Sequence, residues 1–422
     1  MIRYITFLIF FLISLCLQSQ NVYKTKLDSL FNSFEENKKG MGTVSVFKDG
    51  EEVYQKSIGF SNLGSKTKVN ATTKYRIGSI TKTFTATIVM QLIDEEKLSF
   101  DTKLTSFFPN IKNAEKITIK NMLNHRSGLY NITSEEGFIN WISKPRDRKE
   151  MLEKVIKNGI DFEPNTKTSY SNTNYILLSY IAEDIDKKVF SEILNTRIIE
   201  PLHLTRTVYG KEINPKENEA SSYYQEDLEW KPITLETDLS GSMGAGAMVS
   251  TPRELNVFYD NLFSGNLTTQ DALKDMKTIK ENMGLGISQM VFKGLKVFGH
   301  DGGIDGFRSM AVYIPSKNLS IAFCFNASNT SVTPILISIL ETYFSNDQTL
   351  VSKSKIKLKP EDLDLYLGVY SGPTFPAKVT FTKDGNILIA KATGQPSFKL
   401  IATEKNIFTY DSMGIKFSFN LD

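Results

Sequence analysis

Three short polar signatures, far apart along the chain, constrain its fold more than any other feature: Ser79-Ile80-Thr81-Lys82, Tyr170-Ser171-Asn172 and His300-Asp301-Gly302-Gly303. A serine three residues before a lysine on a helix places hydroxyl and amine on one face about one turn apart, where the amine can take the hydroxyl proton. The stretch Thr83 to Glu96 carries Phe84, Ile88, Val89 and Leu92 at spacings of three and four, the apolar stripe of a core-facing helix. A phenol, a carboxamide and a glycine-flanked imidazole add to that pair only in a fold that returns three distant segments to one groove.

Four other S-x-x-K matches test the first signature, at Ser45/Lys48, Ser65/Lys68, Ser352/Lys355 and Ser354/Lys357. Ser45 lies in a strand-like run, where positions i and i+3 face opposite ways. Ser65 follows a polar, glycine-containing turn, and Ser352 and Ser354 fall in a lysine-rich linker. Only Ser79 starts a helix. Y-x-N also recurs, at Tyr259/Asn261, inside an ordinary helical stretch Pro252 to Phe263 that makes Tyr259 a packing residue. Tyr170 and Asn172 instead follow the turn-like Phe162-Glu163-Pro164-Asn165 and precede the helical run Tyr175 to Ile185, which places them on a loop at a helix start. H-x-G occurs once, at His300. Gly302, Gly303 and Gly306 leave its backbone free to approach a substrate, and Phe307 through Ile314 reads as a strand.

With these motifs in order, the chain resembles a serine β-lactamase-family hydrolase, on the side of class C β-lactamases, D-alanyl-D-alanine carboxypeptidases and family VIII-like esterases. The resemblance runs from roughly Leu27 to Phe344 and extends to Leu123-Asn124-His125-Arg126-Ser127-Gly128-Leu129 and to Gly244-Ala245-Gly246-Ala247-Met248-Val249-Ser250-Thr251-Pro252. Relative to the S-x-x-K, S-D-N and K-T-G set, tyrosine replaces the second serine and histidine replaces the lysine of the third motif. The resemblance implies attack by Ser79, proton transfer shared by Lys82 and Tyr170, and an Asn172 that binds a substrate amide or orients Lys82. It also implies an oxyanion held by the backbone N–H groups of Ser79 and Gly303, with His300 and Gly302 beside the substrate. Free lysine and tyrosine both titrate near pH ~10, so either becomes a base only if its surroundings shift it. A partly charged imidazole at His300 puts carboxylate recognition in question. Small esters or amides are the expected substrates. Cell-wall peptides or β-lactams are one alternative, and a penicillin-binding or sensor protein without turnover is another. His125 is read as the buttress of a turn and His203 as packing.

No G-x-S-x-G, G-x-G-x-x-G or P-loop occurs, and three histidines without a cysteine cluster leave no pattern for zinc, so no cofactor and no metal is expected. Formal charge is only +3, with lysines and acids interspersed, which excludes a nucleic-acid footprint. At the N-terminus Arg3 precedes an apolar run, Ile5 to Leu17, that is too short to span a bilayer needing ~20 residues. Residues 1–19 therefore read as a signal peptide, cleaved after Ser19, and the protein as exported, periplasmic or secreted. Cys16 offers an alternative lipid anchor, and Cys324 in Ile321–Phe325 reads as a buried thiol.

The coarse map is α+β: a hairpin of Gly42 to Lys48 and Glu52 to Ile58, the nucleophile helix, a mostly helical middle over Ile119 to Ile199, strands from Gly286 to Cys324 and a closing helix from Thr333 to Phe344. An antiparallel sheet flanked by helices, with a helical subdomain across a cleft, is the β-lactamase/transpeptidase-like arrangement. Residues 25–346 form this catalytic domain and 347–358 a linker. Residues 359–422 form a small all-β C-terminal domain with strands at Tyr366–Tyr370, Ala377–Phe381, Ile387–Ala390, Lys399–Ala402 and Ile415–Phe419.

Overall fold

The first hairpin is set by two backbone conformations that L-residues rarely adopt. Strands β1 (Gly40–Lys48) and β2 (Glu51–Ile58) turn through Asp49 and Gly50, at φ 54° and 82°, and two successive left-handed residues match the right-handed twist of the flanking strands. The computed structural model describes residues 23–345, 356, 358–372, 375–393, 397–410 and 415–420. The signal-peptide and Cys16 readings lie outside these residues, as does nearly all of the 347–358 segment.

β1 is joined by strands from the far end of the chain: β3 (Leu295–Ile304), β4 (Phe307–Ile314) and β5 (Leu319–Ser328). They follow one another in the antiparallel order β3-β4-β5-β1-β2. Being central, β1 is buried along nearly its whole length. Its even-numbered residues share a face with Phe325, where Phe34 of a helix over 23–36 packs at 5.7 Å between ring centroids. Its odd-numbered residues face a second helix, Pro252–Phe263, whose Asn256 donates to the Ser45 carbonyl at 3.0 Å and whose Asp260 accepts from Ser320 at 2.6 Å. Helices thus cover both faces of the sheet.

Helix α1 (Thr81–Asp94) is buried along almost its entire length. It is followed by α2 (Asn172–Asp186) and, later in the chain, by the Pro252–Phe263 helix, which we label α3. Phe84 of α1 stacks on Phe258 of α3 with centroids 3.7 Å apart. A single apolar core runs from the helices into the sheet through Ala311, Ala322 and Cys324. The buried thiol of Cys324 is pushed up from its ordinary range by desolvation, as expected for a structural cysteine.

The described residues divide into two compact units, Met1–Gln289 with Val297–Leu336, and Met290–Lys296 with Ile337–Asp422. The border falls inside the closing helix Val332–Tyr343, not in the 347–358 stretch where the sequence reading placed the linker. The second unit has its own core of Leu363, Tyr366, Val379, Phe381, Leu388, Ala390, Leu400 and Phe408. Its strands form one sheet of four and one of three. The single strand read at Lys399–Ala402 is split at buried Leu400 into Phe398–Lys399 and Ile401–Glu404, which belong to different sheets. The structure adds a strand at Ile407–Tyr410 that the sequence reading does not include. No helix of the described residues is long and apolar enough to cross a membrane.

One buried ion pair ties the sheet to the helical side. Arg76 Nη1 lies 2.9 Å from an Asp305 carboxylate oxygen at the β3–β4 turn, with the two side chains 3% and 1% exposed. The other Asp305 oxygen accepts from the N–H and hydroxyl of Thr237, at 3.0 and 2.8 Å. Replacing Asp305 with Ala removes the close, buried partner of the guanidinium and leaves it only Glu236, at 3.7 Å from Nη2, and we expect a loss of about 3–5 kcal/mol, read as a lower denaturation midpoint in urea. An unchanged midpoint would show that the pair carries no stability.

Candidate active site

Ser79 does not sit on the α-helix itself, as its S-x-x-K position suggested, but on a 3₁₀ turn, Gly78–Ile80, that leads into α1. Gly78 has φ 53°, and a Cβ there would lie 2.8 Å from the Gly303 nitrogen, so only glycine lets the turn approach β3 this closely. The turn is pinned from below. Ser309 donates to the Ile77 carbonyl at 2.8 Å, and a Cβ on Gly302 would strike that carbonyl oxygen at 1.9 Å. Gly302 is therefore a packing glycine, whereas a Cβ on Gly303 would meet nothing nearer than Arg308 at 3.6 Å. Alternation from the Ile304–Phe307 closing pair turns the Gly303 N–H away from β4. The N–H therefore points out of the sheet edge that faces Gly78.

Lys82 is wholly buried, with Nζ 3.0 Å from Ser79 Oγ, 2.7 Å from Asn172 Oδ1 and 2.7 Å from the Ala245 carbonyl oxygen. Desolvation holds its pKa well below the ordinary lysine value, a shift only partly opposed by the Asp301 charge. A neutral amine has two hydrogens and one lone pair. The Ala245 carbonyl can only accept, and Asn172 presents its oxygen because its amide nitrogen donates to Thr133 at 2.9 Å and Asn131 at 3.3 Å. In the neutral form that burial favours, both hydrogens of Lys82 are thus committed, and the lone pair is left for the Ser79 hydroxyl.

Tyr170 donates to Ser79 Oγ at 2.8 Å. Burial raises its pKa, a rise that its bond to Ser79 offsets in part and the Asp301 charge reinforces, so the phenol keeps its proton while the same burial favours the neutral form of the amine. The phenol is held by the loop that follows the short helix Ile119–Leu123. The His125 ring stacks on it with centroids 4.4 Å apart, and His125 Nδ1 accepts from the Ser171 N–H at 3.1 Å. At α2, Asn131 accepts from the Asn172 N–H at 3.0 Å in place of a side-chain cap from Ser171. His125, expected to buttress a turn, therefore also orients Tyr170. Desolvation holds its pKa well below the usual imidazole value.

His300 lies 6.2 Å from Tyr170 between ring centroids and is buried. Its Nδ1 is 2.6 Å from the Asp301 carbonyl oxygen, which can only accept, so Nδ1 carries the proton and Nε2 is the free acceptor. Desolvation lowers its pKa more than the Asp301 carboxylate raises it, and the ring is neutral at pH 7. The Asp301 side chain itself is 64% exposed.

Ser79, Lys82, Tyr170 and Asn172 are thus linked by contacts of 2.7–3.0 Å, with His300, Gly302 and Gly303 alongside, while Tyr259 is fully buried and bonded to Thr83 at 3.1 Å. Beside Ser79 opens a cavity of about 410 Å³ whose lining includes Gly78, Asn172 and Gly303. The roles of Asn131, Thr133, Ala245 and Asp301 were not read from the sequence. Ala245 lies in the glycine-rich Gly244–Pro252 segment noted there, but a backbone carbonyl leaves no mark in the residue code. Among the described residues no group of three or more His, Cys, Asp or Glu side chains is placed to hold a metal.

The chain belongs to the Beta-lactamase family, whose model matches residues 27–341. It is 24% identical to "Penicillin-binding protein 4*" of Bacillus subtilis (strain 168), covering 94% of this chain and 93% of that one. Its structure is similar to that of the D-amino acid amidase from Ochrobactrum anthropi SV3, with TM-score 0.67, 26% identity and coverage of 78% of this chain and all of that one. It shares the fold of the octameric penicillin-binding protein homologue from Pyrococcus abyssi at TM-score 0.68, 24% identity and 92% and 94% coverage. The protein is accordingly a serine hydrolase of the β-lactamase fold.

The buried amine makes stability pH-dependent with a defined sign. The unfolded chain protonates Lys82 below pH ~10.4 while the native state resists protonation, so the group's unfavourable contribution shrinks as pH rises from the depressed native value toward ~10.4. Wild type should therefore gain stability between pH 7 and 9 relative to Lys82→Met in paired urea titrations. Parallel curves for the two proteins would mean that native Lys82 keeps its proton.

Proposed function

We propose that this chain hydrolyses small esters or amides through an acyl-enzyme on Ser79. Lys82, as neutral amine, takes the Ser79 proton as Oγ attacks the carbonyl carbon. The developing oxyanion is held by the N–H groups of Ser79 and Gly303. Tyr170 gives its proton to the leaving oxygen or nitrogen and is reprotonated from Lys82. Water then attacks the acyl-enzyme, with the same pair acting in reverse, and the acid leaves as Ser79 regains its proton. The observation that carries this reading is the buried Lys82 Nζ 3.0 Å from Ser79 Oγ with two acceptors, Asn172 Oδ1 and the Ala245 carbonyl oxygen, at 2.7 Å, which in the neutral amine take both hydrogens and aim the lone pair at Ser79.

The leaving-group side supports small esters and amides over cell-wall peptides. Tyr170 stands next to His300, a neutral imidazole, and to Asp301, an exposed carboxylate. A leaving group with its own carboxylate finds no fixed cation there and one like charge. The likeness to a D-amino acid amidase agrees with this, and the likeness to a penicillin-binding protein over nearly the whole chain keeps peptide and β-lactam substrates in the comparison. The apolar run Ile5 to Leu17 supports a companion proposal that the protein is exported.

Short p-nitrophenyl esters and D-amino acid amides should turn over faster than nitrocefin or a D-alanyl-D-alanine peptide. A burst without steady turnover would instead favour a sensor. Ser79→Ala should abolish both hydrolysis and fluorophosphonate labelling, and full activity in that variant would remove the mechanism. Tyr170→Phe should lower kcat by ~10²–10⁴. Because the Asp301 charge raises the Lys82 pKa, Asp301→Asn should move the acid limb of the kcat/KM profile to lower pH. A shift to higher pH would contradict the assignment of Lys82 as the base.

A further inference from the structure

The cavity beside Ser79 is lined by Asn172 and Gly303 but by neither Tyr170 nor His300. Tyr170 must reach the leaving atom to protonate it, so the leaving group departs on the Tyr170 side. The cavity therefore receives the other half of the substrate, the acyl group that stays on Ser79. Two charged side chains line it, Asp305 and Arg308. Asp305 is already neutralised by Arg76 and accepts two further hydrogen bonds from Thr237. Arg308 is exposed and makes no ion pair with any described carboxylate.

Arg308 is held in place without being discharged. Its Nη1 donates to the Asp305 and Phe307 carbonyl oxygens at 3.0 and 2.7 Å, which fixes the guanidinium over the β3–β4 turn. The same Nη1 is 3.6 Å from where a Gly303 side chain would begin. The positive charge therefore stands next to the backbone that is to bind the oxyanion, on the acyl side, in a cavity whose lining also includes the apolar Phe138, Ile139 and Ile176. A guanidinium fixed at one edge of a half-apolar cavity suits a ligand with an aliphatic stem and a terminal anion.

We propose that Arg308 selects substrates whose acyl half carries a carboxylate a few carbons from the scissile carbonyl, such as a monoester or monoamide of a short dicarboxylic acid or an acidic amino-acyl group. This rests on the acyl-serine reading above and adds to it the charge of the preferred acyl group. The contact is made equally in the ground and transition states, so it acts mainly on KM.

The test compares 4-nitrophenyl hydrogen glutarate with its methyl ester, which has the same chain without the charge. At low ionic strength wild type should favour the anionic ester about fivefold or more in kcat/KM, mostly through KM, and the ratio should shrink in high salt. Arg308→Gln should bring the ratio to one or below, and Arg308→Lys should retain part of it. A wild-type preference for the methyl ester, or an anionic preference that survives in Arg308→Gln, would overturn the inference. If neither ester is hydrolysed, the acyl-serine reading fails by itself. Recognition is then read from the binding of N-(4-nitrophenyl)glutaramic acid and its methyl ester to Ser79→Ala, with and without Arg308→Gln. Tighter binding of the acid that depends on Arg308 supports the inference, and equal binding of the two overturns it.

Discussion

An amine taken fully out of water, with no carboxylate paired to it, is the constraint on which the site depends. Solvation would return Lys82 to an ordinary ammonium, which cannot accept a proton. Burial favours the neutral form, but a buried polar group is tolerated only when its hydrogen bonds are made elsewhere. Asn172 and Ala245 make them, from α2 and from the kinked helix Leu239–Gly246 before α3, and so bring two distant segments against α1. What stabilises the neutral amine also aims it, because two acceptors leave one direction for the lone pair.

The same economy appears on the sheet side of the seam. Gly78 and Gly302 are glycines for steric reasons that can be stated atom by atom, since each would drive a Cβ into backbone across the junction. Together they press the Ser79 turn against β3 and bring the free N–H of Gly303 beside the nucleophile. Arg76 and Asp305 lock the end of that contact at the β3–β4 turn. In the proposed reading, substrate preference comes from charges just outside this shared frame, with a neutral His300 and an exposed Asp301 on the leaving-group side and Arg308 on the acyl side.

Much of this was legible in the residues, for identifiable reasons. Apolar spacing in Phe84, Ile88, Val89 and Leu92 marked α1, and Asp49-Gly50 marked the first hairpin, because helix and turn conformations are local and leave local patterns. The break at Leu400 turns on a single residue and left too short a pattern to be read. Asn131 and Thr133 escaped because they act through Asn172, about forty positions along the chain, and nothing in a polar loop announces which amide it will orient. The chemical state of the lysine–tyrosine pair was also beyond reach, since phenolate with ammonium and phenol with amine fit the same letters.

By itself the sequence determined which groups were available, a hydroxyl, an amine, a phenol, a carboxamide and an imidazole, and that they sit at the starts of helices or on a strand with glycines beside it. Residue identity and local periodicity suffice for that. Only the tertiary structure decided how those groups are charged and which way their protons face. Both depend on how much water is excluded and on which acceptors lie within about 3 Å, and these are set by segments that meet only when the sheet and the helices close on one another.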